Sequence, residues 1–387
     1  MLTPGRFLTG FIILYLWGGL LLYNCLPLGF IDEGLVAALL LYTLLVRRKG
    51  CAWVLKKEFC FFLLLSLFYV VYSCVLGITS IEAILLDYQQ EIKPYVTFYC
   101  AYMLGATFTS RQCRQIRLHC LLIFVIVLFN LPAYGQKFMG GHPATLATAS
   151  TTLFLYYFYF SNRSSKSRWC AWLMFTPGWI SGRSKFFATY IASAVLWRAN
   201  KKINLHQRST LLTLAGTVLL ITFAIWEKFS LYILSGITGE TETARASLYI
   251  TAFFLLKDFF PLGCGLGTYA NHASRVYYSP LYEEYGLSRV FGLSPEMPDF
   301  IADTYYPVLA QFGVVGIVFF YLFWRRRYLG IKKIPDLNEY KVGLVILLVA
   351  GIESFADTTL LSNRGVGYCL LLGILLGKYA STPHTTP

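Results

Sequence analysis

Charge is scarce in this sequence. Asp, Glu, Lys and Arg make up 13% of its 387 residues, against 57% hydrophobic side chains. No soluble core of this size could bury so much apolar surface, so a soluble globular class is excluded. Motifs of the common chemistries are also missing. There is no GxxxxGK[ST] phosphate loop, no HExxH, no closely spaced His/Cys cluster and no GxSxG elbow, so no nucleotide, metal or other cofactor is expected. The ten cysteines form no CxxC. Most lie in apolar runs (Cys60, Cys74, Cys100, Cys120, Cys170, Cys369) or basic connectors (Cys51, Cys113), where they read as small apolar filler. No small-x-small cleavage site follows the first apolar run, which is therefore expected to be retained. No internal repeat of the transporter kind is found, and only the tail 381–387 is of low complexity.

What is present is a series of apolar runs of spanning or near-spanning length. They fall at about 7–25, 30–46, 59–78, 94–109, 118–134, 144–160, 169–181, 184–197, 209–227, 304–324, 341–358 and 364–378. The expected fold is thus an all-α polytopic integral membrane protein with 10–12 transmembrane helices. The stretches 169–181 and 184–197 are short enough to be a re-entrant hairpin instead of two crossings. The net charge of +14 would suggest nucleic acid in a soluble chain, but the basic residues cluster at the ends of apolar runs. Of 33 basic residues, 23 fall on one set of connectors, which by the positive-inside pattern puts both termini in the cytoplasm. The chain accordingly divides into membrane helices 1–227, one large external loop 228–303, and helices with a short tail 304–387.

The loop 228–303 is the longest stretch that is neither an apolar run nor a basic connector. It carries Glu240, Glu242, Arg245, the turn Gly263-Cys-Gly-Leu-Gly267, His272, Arg275 and several tyrosines. Residues 244–260 read as an apolar helix bounded by Pro261, lying along the membrane surface or dipping into the protein. The glycine run reads as a tight turn and not a dinucleotide site, since no strand precedes it.

Few cations fall on the outer side: Lys93, Lys137, Arg183, Lys185, Lys228, Arg245, Lys257, Arg275, Arg289 and Arg364. Guanidinium groups hold phosphate oxygens in bidentate fashion, which makes Arg183 and Arg245 candidates for an anionic headgroup. The alternative for each, and for Arg364, is an interfacial cation or a salt bridge to Glu353 or Asp357. The last two stand four residues apart on one helix face, where pairing with Arg364 would close a helix hairpin. Asp303 is either an N-cap for the following span or a general base. His272 reads as an ordinary loop histidine, and the aromatic residues of the loop fit sugar stacking or an interfacial belt.

These segments resemble the O-antigen polymerase and ligase superfamily of bacterial envelopes. The likeness rests on the Ser181-Gly-Arg-Ser-Lys185 turn, on Arg245-Ala-Ser-Leu-Tyr-Ile-Thr-Ala leading to the glycine turn, and on Asp303-Thr-Tyr-Tyr-Pro through Gly313-Val-Val-Gly316. Matching residues are confined to about 181–185 and 245–316. The resemblance implies a glycosyltransferase of the bacterial inner membrane. It would pass a growing glycan from undecaprenyl diphosphate to the non-reducing end of a new lipid-linked repeat unit, on the periplasmic face. Partners would be undecaprenyl-diphosphate-linked oligosaccharides, membrane lipid and a chain-length regulator protein, with no nucleic acid. Asp303 and Arg245 would be catalytic, and Arg183, Lys185, Arg275, His272, Tyr305 and Arg364 would bind diphosphate or glycan. The family's ligases carry a histidine where this chain has Ala302-Asp303, which disfavours ligase. A flippase for the lipid-linked unit is the alternative of another class.

Overall fold

The structure is a computed structural model describing residues 2–22, 31–46, 53–131, 143–161, 164–199, 201–204, 207–224, 226, 230 and 243–380. Lys137, Arg163, Lys228, Glu240, Glu242, Cys51 and the tail 381–387 lie outside the described residues. Those described are helical, with no strand among them. Each of the twelve apolar runs overlaps a helix among the described residues. In chain order these are α1 (Pro4–Leu14, continued as a π-helix Tyr15–Leu22), α2 (Ile31–Leu45), α3 (Trp53–Leu76), α4 (Ile81–Leu104), α5 (Ser110–Phe129) and α6 (Pro143–Tyr159). There follow α7 (Ser165–Phe175, ending in the 3-10 turn Thr176–Ser181), α8 (Ser184–Arg198) and α9 (Arg208–Ala224). The loop contributes α10 (Ala244–Asp258), α11 (His272–Val276) and α12 (Leu281–Glu284). A 3-10 turn, Tyr306–Phe312, then leads into α13 (Gly313–Lys333), α14 (Leu337–Ser354) and α15 (Asn363–Ala380).

Four of these segments are long and apolar enough to cross a membrane: Pro4–Leu22, Lys57–Leu76, Ser110–Phe129 and Tyr306–Lys333. Their outward faces are apolar, with Leu64 67% and Val75 80% exposed on α3. Exposed apolar surface on this scale marks a face that meets something other than water.

Local chemistry sets the helix ends. The Ser80 hydroxyl accepts from the Ala83 amide to cap α4, and left-handed Gly105 stops it. A Thr109–Gln112 capping box starts α5. The inner pair of the bundle is α4 against α15, which can approach closely because Gly373 and Gly377 repeat at four-residue spacing. A Cβ at either would stand 2.6 Å from the carbonyl oxygen of Phe98 or Tyr102.

Three expectations change here. The run at 94–109 is the second half of a longer helix, so Asp87, Glu91 and Lys93 are buried helix residues and not connector residues. Lys93, expected as an outer cation, bridges Asp32 at 2.6 Å and Glu33 at 2.7 Å. Arg327, expected in a basic connector, is buried, 2.7 Å from Glu58 and 4.6 Å over the Phe98 ring. Burial forces each cation onto a carboxylate or an aromatic face, because an isolated charge cannot leave water at tolerable cost.

Candidate functional site

The described part of the loop is a compact subdomain with its own core around Leu248, Leu255, Tyr269, Tyr282 and Ile301. Two side chains from the helical body hold its glycine turn. Asp87 Oδ2 accepts from the Gly267 amide at 2.8 Å and from Gln311 Nε2 at 3.1 Å. Gln311 Oε1 accepts from the Thr268 amide at 2.8 Å and from Asn271 Nδ2 at 3.0 Å. Gly263 and Gly267 have φ of 87° and 75°. A Cβ on Gly267 would meet the Ala83 backbone at 2.9 Å. The glycines are therefore required for a tight turn pressed onto α4, as expected, and no phosphate cradle is needed to explain them.

This seating puts α10 beside the point where the chain enters the Tyr306–Phe312 turn. Arg245, in the first turn of α10, forms an ion pair with Asp303. Asp303 is not a helix cap, since the next helical turn begins after Tyr305 without a side-chain cap. Three bonds dock this corner on the end of α14: the Tyr249 hydroxyl donates to the Phe355 carbonyl at 3.2 Å, the Tyr305 amide to Ser354 at 3.1 Å, and the Thr358 hydroxyl to Ala302 at 3.3 Å.

Behind it lies a second group of charges. Asp357 pairs with Lys185 of α8 and, at 2.8 Å, with Arg364 of α15. Arg364 also stands 3.9 Å from Glu353 and donates to Thr148 Oγ1 at 3.4 Å. The Thr359 hydroxyl donates to Glu353 Oε2 at 3.2 Å. The pairing of Glu353 and Asp357 with Arg364 agrees with the hairpin expected from sequence. The joining of Lys185 to Asp357, across 172 positions, had no sequence signal.

Among the candidates, Lys185, Arg245, Asp303 and Arg364 thus meet in one region, with Asp357 and Glu353 between them. Asp303 feels the charges of Arg245, Asp357 and Lys185. Burial keeps its carboxyl above the usual range, against the opposing pull of Arg245. Arg183 stands at the N-terminal end of α8, two residues before Lys185, and is half-buried. His272 and Arg275 lie elsewhere: α11 packs on α4, and burial, Arg275 and Lys93 together lower the His272 pKa. Tyr305 is 1% exposed and lines an apolar cavity of about 110 Å³ with Tyr95 and Glu91. Among the described residues no group of His, Cys, Asp and Glu could hold a metal ion.

Sequence reading missed Asp87, Gln311 and Ser73, whose hydroxyl accepts from the Leu266 amide at 2.7 Å. Their partners are backbone groups far away in the chain, which leave no local motif. No protein-family model matches this chain, and no curated protein sequence matches it.

Proposed function

We propose that the chain is an enzyme of the bacterial inner membrane with 10–12 spans and both termini in the cytoplasm, which polymerises lipid-linked polysaccharide repeat units. What supports the reading above all is the convergence of Arg245 and Asp303 at the mouth of the Lys185–Asp357–Arg364 network, beneath the one large loop. Side-chain exposure is 38% for Asp303, 21% for Arg245 and 20% for Asp357, against 8% for Lys185 and 14% for Arg364, so Asp303 is the most open member. The outer pair is therefore the part a substrate reaches.

A diphosphate arriving at Arg245 competes with Asp303 for the guanidinium, because a phosphate accepts the same two-pronged bond. The displaced carboxylate is then free to take the proton of the acceptor hydroxyl. The hydroxyl oxygen bonds to the anomeric carbon of the donor. The bond from that carbon to the diphosphate breaks, its electron pair leaves on the diphosphate, and Arg245, Lys185 and Arg183 offset the charge. The donor's own glycosyl–diphosphate bond drives the transfer.

The test is a deletion strain carrying wild-type or Arg245→Ala protein at matched levels, with surface glycan length read on a gel. The expected result is glycan one repeat unit long in the deletion and in the variant. Full-length polymer from Arg245→Ala would remove Arg245 from the site. Polymer made but not joined to lipid A in the deletion would indicate a ligase.

One observation favours a transporter instead. Asp87 and Glu91 are buried on α4, and Glu91 Oε1 has no hydrogen-bond partner among the described residues. Such carboxylates are typical of transport pathways. In that case the deletion strain would accumulate lipid-linked units on the cytoplasmic face.

A further inference from the structure

At the end of the bundle opposite the outer loop in the proposed topology, a cleft of 350 Å³ opens between α7 and α8. That volume falls within the ~300–1,000 Å³ usual for small-molecule sites. Trp169, Trp172, Trp197 and Tyr190 line it, together with Arg168 and Arg198, and among the described residues no carboxylate does. The aromatic wall is ordered edge to face: Trp172 stands 5.9 Å from Trp197 at 83° and 5.4 Å from Tyr190 at 78°. The Arg168 guanidinium lies 5.8 Å over the Trp197 ring and donates to Ser165 Oγ at 3.0 Å. Lys341 adds a third positive charge, 5.5 Å over the same ring, with its ammonium donating to the Trp197 carbonyl at 2.8 Å. Trp169 is 75% exposed and Arg198 is exposed at the last turn of α8.

Simpler roles account for parts of this. Arg198 complements the C-terminal end of the α8 dipole, and Arg168 gains from stacking. Neither explains why three cations gather around one open aromatic cleft whose described lining holds no acid. Charge complementarity calls for an anion, and the indole walls call for that anion to carry an apolar body. Tryptophan and tyrosine settle at the headgroup level of a bilayer, and basic pockets between helices on the cytoplasmic side suit anionic headgroups. We infer that this cleft binds an anionic phospholipid, with its phosphate between Arg168 and Arg198 and the first acyl carbons against Trp172 and Trp197. The inference rests on the membrane placement proposed above and not on the transferase activity.

The test is native mass spectrometry of the full chain in detergent, titrated with phosphatidylglycerol, with phosphatidylcholine and with inorganic phosphate. Wild type is expected to retain phosphatidylglycerol in preference to phosphatidylcholine, with no displacement by inorganic phosphate. Arg198→Ala, at an exposed position that cannot unfold the bundle, should weaken phosphatidylglycerol roughly fivefold, and the Arg168→Ala/Arg198→Ala pair roughly thirtyfold. Phosphatidylcholine adducts should not change. Equal phosphatidylglycerol binding in wild type and Arg198→Ala would sink the site, as would displacement by inorganic phosphate. Recovery of the protein from the soluble fraction without detergent would overturn the membrane placement itself and this inference with it. Loss of the lipid site with membrane recovery intact leaves that placement standing.

Discussion

Two charge clusters stand side by side beneath the loop 243–303 and are built differently. Arg245–Asp303 links a loop helix to the start of the Tyr306–Phe312 turn, is half-buried, and its members come from the loop subdomain. Lys185–Asp357–Arg364–Glu353 joins α8, α14 and α15, is more deeply buried, and its charges are shared among several partners and neutral hydroxyls. The first can be opened by an incoming anion at small cost, since exposed pairs contribute only about 0–1 kcal/mol. The second cannot, because removing a partner strands a charge in a poorly solvated place. A site needs both kinds: a pair that yields to the substrate, and a frame that fixes where the pair sits.

The comparison breaks most sharply at Asp357. Asp357→Asn leaves Lys185 and Arg364 facing each other without their shared carboxylate, and the expected loss is about 3–5 kcal/mol of stability. Thermal unfolding in detergent should show a large drop. If the midpoint hardly moves, the inner cluster is not a frame. The next effect is in the seat of the loop. Gln311→Ala orphans the Thr268 amide and the Asn271 side chain together with one bond to Asp87, at an expected cost of roughly 1–3 kcal/mol. Proteolysis within 243–303 should rise in this variant while the helices stay protected. Equal protection of the loop would show that its own core, not the Asp87–Gln311 clasp, holds it in place.

These residues also mark how far sequence carries. The helix positions were legible because apolar runs of spanning length, punctuated by caps and glycines, leave a local signal. The helix over 244–260 and its Arg245 were legible for the same reason. Asp87, Glu91 and Lys93 were not, because a charged stretch reads as a connector until Asp32 and Glu33 of α2 and the glycine turn of the loop are seen packed against it. Asp303 stood open between capping and catalysis, since only the folded chain shows that its partner is Arg245, 58 positions away. Lys185 stood out in sequence as a cation in a turn, but its attachment to Asp357 depends on how α8 meets α14. Pairings across such distances are decided by packing and are invisible in spacing.

The smallest effect on stability, and the most informative about chemistry, belongs to the outer pair. Arg245→Ala should cost at most about 1 kcal/mol of stability, because the pair is partly solvated. Asp303→Asn keeps the shape and a hydrogen bond to Arg245 but cannot accept a proton, so transfer should fall roughly 10²–10⁴-fold with little change in unfolding temperature. The pH dependence gives the sign. Burial raises the Asp303 pKa, so its basic form is present above that raised value and is lost on acidification sooner than for an ordinary aspartate near pH 3.9. The acid limb of the proposed transferase activity should therefore lie above the normal aspartate range. Arg245→Lys, which weakens the interaction favouring the charged carboxylate, should move that limb to still higher pH. Asp303→Asn should lose the limb along with the activity. A limb at the ordinary aspartate value, unmoved by Arg245→Lys, would assign the proton transfer to another group and leave Arg245–Asp303 as a second, smaller frame like the one behind it.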